Sequence, residues 1–271
     1  MIRLAVRCRR ELAERVLADL VELAPGGVEE EAGARWVEYA IYGAPGELPT
    51  LPDLDAAVGA GLVEVTSKEV PDDWAERWQG FHEPVLVGGR ILVRPSWVDP
   101  EPGTIDIVVD PGQAFGTGAH HTTRMCLELL LDLADAGKAR GSLADLGTGS
   151  GVLAIAAAKL GFGAVIACDR ERAALEAAAA NASANCADVE LVRADLRTEQ
   201  PPGASTVTAN LTAPLLRHIA ALIPGGPEHL VCSGMLVSET DDVVKAFAAR
   251  GLRERERRGS GDWAAVLLES T

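Results

Sequence analysis

Long apolar runs are missing from this chain of 271 residues. Charges such as Lys159 and Asp169 interrupt every apolar stretch before the roughly 18 residues that a membrane span needs. Nor does an apolar segment follow Arg3, Arg7, Arg9 and Arg10, which alternate with apolar residues as in a strand, so a secretory leader is not expected. Cysteine is sparse: Cys8, Cys126, Cys168, Cys186 and Cys232 are odd in number, scattered and never arranged C-x-x-C. That excludes a disulfide framework and implies reduced thiols. Neither these nor His82, His120, His121, His218 and His229 show metal-ligand spacing, and no metal is expected. Basic residues are short as well, with 25 Lys and Arg against 40 Asp and Glu for a net charge of −15. The first 104 residues alone carry 10 against 19. Such a surface repels phosphate backbones, so direct nucleic-acid binding is not expected and a basic protein partner suits it better.

What is there fits a soluble cytoplasmic enzyme of two domains, because 48% hydrophobic content over this length supports a sizeable core. Residues 1–68 alternate strand and helix. Ile2 to Cys8, Val28 to Glu31, Arg35 to Tyr42 and Leu62 to Ser67 read as strands. A helix over Glu11 to Leu23 carries Leu12, Val16, Leu20 and Leu23 on one face, and a short helical piece lies around Leu54 to Val58. A small α+β, ferredoxin-like domain is expected. Residues 69–104 read as a connector, in which Trp74 and Trp78 share one face of a short helix suited to packing between domains. From residue 105 strands and helices alternate, and the last two strands, Leu252 to Arg258 and Trp263 to Leu268, are joined by a short link. An α/β fold with a parallel sheet ending in a hairpin follows over 105–271.

The most informative run is Ser142 to Gly151, S-L-A-D-L-G-T-G-S-G. A strand ends in Asp145 and breaks into Gly147, Gly149 and Gly151, after which Val152 to Leu160 reads as an Ala-rich helix stopping at Gly161. Glycines there permit positive φ and close approach of backbone to a ligand. A dinucleotide fingerprint would need its third glycine where Val152 stands, so an NAD(P)-binding oxidoreductase is disfavoured. The D-x-G-x-G-x-G run instead resembles the first motif of class I S-adenosylmethionine (SAM) methyltransferases. Asp169 closes the next apolar run, Ala164 to Cys168, where a carboxylate can take ribose hydroxyls. The plain alternative is a glycine turn with an N-capping Asp.

Two further constellations narrow the reading. Asp110 to Thr123, rich in glycine and hydroxyls, directly precedes a helix over Arg124 to Leu133 and could fold over a cofactor. Asn210-Leu211-Thr212-Ala213-Pro214-Leu215 follows the fourth strand of the sheet, where an amide oxygen and backbone carbonyls can accept N–H bonds from an amine. With these, Asp73-Trp74, Trp78 and Val93-Arg94-Pro95-Ser96-Trp97, the chain closely resembles the PrmA family, class I SAM methyltransferases acting on ribosomal protein L11. His121 stands where that family usually has Pro, and Leu211 where Ile is frequent.

The resemblance implies a seven-stranded class I sheet, SAM as cofactor, and methylation of L11 at lysine ε-amines and the N-terminal α-amine by a cytoplasmic monomer whose N-terminal domain docks the substrate. It carries cofactor contacts to Phe115, Thr122, Thr123, Asp145, Gly147, Thr148, Gly149, Asp169, Asp195 (adenine) and Asn210. Asn210 and the Leu211 carbonyl would orient the amine, and His120 would order the loop. Another protein or a small amine as acceptor is the alternative.

Overall fold

The computed structural model describes residues 2–13, 16–17, 20, 28–33, 35–43, 62–69, 83–110, 118, 120–223 and 226–270. They form two units, residues 1–82 with 112–114 and residues 83–111 with 115–271. The expected connector over 69–104 is thus divided at 82/83. The expected helix around 54–58, Trp74 and Trp78 lie outside the described residues.

The first unit is a four-stranded antiparallel sheet of β1 (Ile2–Arg9), β2 (Glu29–Ala32), β3 (Trp36–Gly43) and β4 (Leu62–Glu69) in the order β2-β3-β1-β4. That is the order of the split βαβ, ferredoxin-like arrangement. Strand alternation sends Leu4, Val6, Cys8, Val37, Tyr39 and Ile41 to one face, where they pack with Val16 and Leu20 of the expected first helix. On the other face Glu38 accepts from Arg3 at 2.9 Å and Arg7 at 2.8 Å. Burial alone would raise this carboxyl, but the two guanidinium groups hold it below the ordinary range.

The second unit opens with a small sheet of β5 (Val85–Val87) and β6 (Ile91–Arg94), which the sequence reading placed in the connector, and β7 (Ile105–Val108), with β6 and β7 parallel. β6 ends at Arg94, because Pro95 has no N–H for a ladder. The Arg94 guanidinium there donates to the Pro95 and Val98 carbonyls and to Asp106 Oδ1 at 2.6 Å. Val85, Val87, Ile91, Val93 and Ile107 join the core beneath α1 (His121–Asp135). Burying each such side chain stabilises by about 1.5–3 kcal/mol.

The large sheet comprises β8 (Leu143–Leu146), β9 (Val165–Asp169), β10 (Glu190–Arg193), β11 (Thr206–Asn210), β12 (His229–Leu236), β13 (Leu252–Ser260) and β14 (Trp263–Ser270). Its order is β10-β9-β8-β11-β12-β14-β13, with the first five parallel and β14 antiparallel to both neighbours. This is the expected seven-stranded class I methyltransferase sheet. Helices α2 (Val152–Leu160) and α3 (Arg172–Ala184) share a core with α1, whereas α4 (Ala213–Leu222) and α5 (Thr240–Ala248) share a second core. α3 can pack closely because Ala174, Ala178 and Ala182 make one small-residue stripe. Among the described residues no helix is long and apolar enough to cross a membrane. The strand order reverses between β8 and β11, which run parallel, so ligands belong at the carboxyl ends of these strands.

Candidate active site

A cleft of about 250 Å³ opens at that edge. Its wall includes Thr123, Gly147, Thr148, Gly149, Asp169, Asp195, Asn210 and Leu211, eight of the residues singled out from sequence. They come from five places: the start of α1, the loop after β8, and the ends of β9, β10 and β11.

The glycine loop is held by hydrogen bonds to its neighbours. Gly147 and Thr148 donate their amides to the Cys168 carbonyl at 2.9 and 3.0 Å, and Gly151 donates to the Thr148 carbonyl at 2.9 Å. All three glycines have positive φ, at 72°, 54° and 83°. The reasons for glycine differ. A Cβ on Gly151 would lie 3.1 Å from Cβ of Ala178 in α3, and one on Gly147 would lie 2.5 Å from Cδ2 of Leu211. Gly151 therefore serves close packing against α3, whereas what lies near a Gly147 Cβ is the end of the Leu211 side chain in the cleft wall.

Asp169 ends β9. Its Oδ2 accepts the Gly149 amide at 3.1 Å and its Oδ1 the Glu171 amide at 3.0 Å. A carboxylate has about four acceptor positions, so two remain for hydroxyls of a ligand. Asp195 lies just beyond β10 and accepts the Arg197 amide at 3.0 Å.

Asp145, expected at the cofactor, is instead an internal staple absent from the cleft wall. It is 1% exposed, with Oδ2 taking the Thr148 hydroxyl at 2.7 Å and Oδ1 the Thr208 hydroxyl at 2.6 Å. Burial pushes its carboxyl up, while the Thr208 and Thr148 bonds oppose that rise. Thr122 is likewise buried outside the cleft wall, and its hydroxyl lies 2.7 Å from His120 Nδ1. Phe115 lies outside the described residues.

His120 is the N-cap of α1: its Nδ1 accepts the Thr122 amide at 3.3 Å, so the helix begins at His121, three residues before the expected Arg124. Its ring meets Trp263 edge-on at 5.1 Å. Burial, then the neighbouring His121, lowers its pKa. A neutral imidazole suits the cap, because a protonated Nδ1 could accept nothing. The cap sets Thr123, whose hydroxyl accepts from Asn210 Nδ2 at 3.4 Å.

Leu215 closes the Asn210 to Leu215 run read from sequence, whereas sequence reasoning missed Val152, Leu153, Arg170, Ala194, Leu196 and Arg197 in the wall. The signal was positional: Val152 and Leu153 begin the helix after the loop, Arg170 follows the acid, and Ala194 to Arg197 follow β10.

Known proteins resemble this arrangement. A family model described as Ribosomal protein L11 methyltransferase (PrmA) matches residues 51–271. A protein named Ribosomal protein L11 methyltransferase from Pelotomaculum thermopropionicum is 41% identical over 204 residues, covering 72% of this chain and 65% of that protein. One of the same name from Geobacter metallireducens is 39% identical over 223 residues, covering 80% and 71%. The match thus spans less than two thirds of the first relative's length. A crystal structure of ribosomal protein L11 methylase from Lactobacillus delbrueckii subsp. bulgaricus superposes with a TM-score of 0.61 at 25% identity, covering 70% of this chain and 100% of that one.

Proposed function

The chain belongs to the ribosomal protein L11 methyltransferase (PrmA) family, and from that membership we propose that it transfers methyl groups from SAM to amino groups of ribosomal protein L11. The acceptors are lysine ε-amines and the N-terminal α-amine. The observation that carries the reading is the convergence of the glycine loop, Asp169 and Asn210-Leu211 on one cleft at the switch point of the sheet.

The donor set suits SAM. Asp169 keeps acceptor positions for ribose hydroxyls, Ala194 and Leu196 offer apolar surface with Asp195 beside it for a base, and the backbone of Gly147 to Gly149 is open to the methionine portion. Bound SAM supplies an electrophilic methyl group, which the attacking nitrogen takes while sulfur keeps the bonding pair. A lysine acceptor, with an ordinary pKa of about 10.4, must arrive neutral. The Asn210 side-chain oxygen and the Leu211 carbonyl accept its N–H bonds and aim its lone pair. Desolvation beside a sulfonium lowers the pKa of the amine, its proton passes to water, and the rate gain comes from alignment.

The acidic N-terminal unit docks the substrate protein, and the enzyme works as a cytoplasmic monomer on free L11 without binding nucleic acid itself; the 19 acidic against 10 basic residues among the first 104 suit docking of a basic protein. Radiolabelled methyl transfer from SAM to a panel of purified ribosomal proteins, with mass analysis of products, tests the reading. Label on L11 is expected. Label on another acceptor would replace the partner, and SAM titration without binding would remove the cofactor.

A further inference from the structure

Leu211 is seated between two glycines, one in the cofactor loop and one that carries no motif. The second, Gly234, lies in β12 where pairing with β14 shifts register between Cys232 and Met235. Its φ is +83°. A Cβ at Gly234 would fall 2.6 Å from the carbonyl oxygen of Leu211 and 2.8 Å from its carbonyl carbon and amide nitrogen. These are backbone atoms, so no side-chain rotation could relieve the overlap. The Leu211 backbone packs directly on Gly234.

Two bonds hold the seat. The Leu211 amide donates to the Ser233 carbonyl at 2.9 Å, and the Ser233 hydroxyl donates to the Ala264 carbonyl in β14 at 2.8 Å. Irregularities of this kind beside active sites re-aim what they touch. Here the Leu211 carbonyl is one of the two acceptors assigned to the incoming amine, and Asn210 is bonded to it in the chain.

We propose that Gly234 is a positioning residue for methyl transfer, its missing side chain setting the height of the Leu211 carbonyl and the Asn210 amide toward the acceptor amine. This rests on the methyl-transfer reading and adds a residue in a different strand. Gly251 supplies the control: its φ is also +83°, but nothing lies within 4 Å of a Cβ built there.

The test compares Gly234→Ala with Gly251→Ala in the full chain. Displacing an aligning group by roughly an ångström costs on the order of a hundredfold. Gly234→Ala should lower kcat about ten- to a hundredfold, with SAM affinity and acceptor KM within about threefold of the parent. Gly251→Ala should leave kcat unchanged. In an Asn210→Ala background Gly234→Ala should cost less than about twofold more, because both act on the same alignment. Independently of activity, amide hydrogen exchange at Leu211 should speed up about tenfold in Gly234→Ala alone. Should that variant not fold, Ser233→Ala, which frees the seat from β14 without adding atoms, should lower kcat and loosen the Leu211 amide in the same direction. Equal effects at Gly234 and Gly251, or unchanged Leu211 exchange, would overturn the seat. A parent chain that binds SAM but methylates no amine would overturn the functional reading and the acceptor role with it, while the exchange data judge the seat separately.

Discussion

The Gly149 amide donates to Oδ2 of Asp169 at 3.1 Å, so the loop after β8 and the acid ending β9 form one piece. Removing the carboxylate should loosen the loop as well as lose a ribose contact. Asp169→Ala is expected to weaken SAM binding about ten- to a hundredfold, the worth of a charge-assisted bond. Asp169→Asn, whose amide oxygen can still accept from Gly149, should lose less. Calorimetry checks both, and parental affinity in the folded Ala variant would take Asp169 out of the site.

Asp145 should behave as a stability residue. Truncation to Ala would strand the hydroxyls of Thr148 and Thr208 in the core, at about 1–3 kcal/mol for each buried group left unpaired. Urea unfolding of Asp145→Ala should show a loss of that size. The midpoint staying at the parental value would refute the staple.

For Asn210→Ala the expected signature is a kcat lowered about ten- to a thousandfold with SAM affinity little changed, since two aligning hydrogen bonds are each worth about 1–2 kcal/mol. Single-turnover rates decide it. A rate within about twofold of the parent would move the orienting role elsewhere.

Acid should weaken the start of α1 through His120. Its folded-state pKa is lowered by burial and by His121, so the unfolded chain takes up the proton first as pH falls below about 6.5. Stability is therefore whole above that value and declines as pH drops toward the folded pKa. Protonation also abolishes the cap acceptor. His120→Asn keeps a capping oxygen and removes the titration, and unfolding free energies between about pH 7.5 and about pH 5 should fall less steeply in this variant. His229, also lowered by burial and then by Lys138, acts with the same sign in both chains. An unaltered slope would clear His120 of the effect.

A chain beginning at Glu83 should fold, bind SAM and fail to methylate L11. One beginning at Ile105 should not fold stably, because it removes β5 and β6 with Val85, Val87, Ile91 and Val93 from the α1 core, at about 1.5–3 kcal/mol apiece. Circular dichroism and SAM titration distinguish the two. Full methylation by the shorter-cored chain, or by the chain from Glu83, would contradict the division of roles.

Sequence by itself determined what depends on neighbours along the chain. Glycines at every second position after an apolar strand specify a turn, an Ala-rich stretch ending at Gly161 specifies a helix, and an acid at the next strand end specifies a carboxylate at the sheet edge; all three stand where spacing put them. Only tertiary structure decided what each group faces. Asp145 and Asp169 both end or nearly end a strand, yet one is buried by Thr208 from β11 and the other opens to the cleft. Strands β5 and β7, three and four residues long, are too short to declare themselves until α1 covers them. Gly234 looks like any strand glycine until β11 brings the Leu211 peptide onto it. The physical reason is that parallel strands acquire their neighbours through crossovers, so lateral contacts depend on sheet order, which local spacing does not encode.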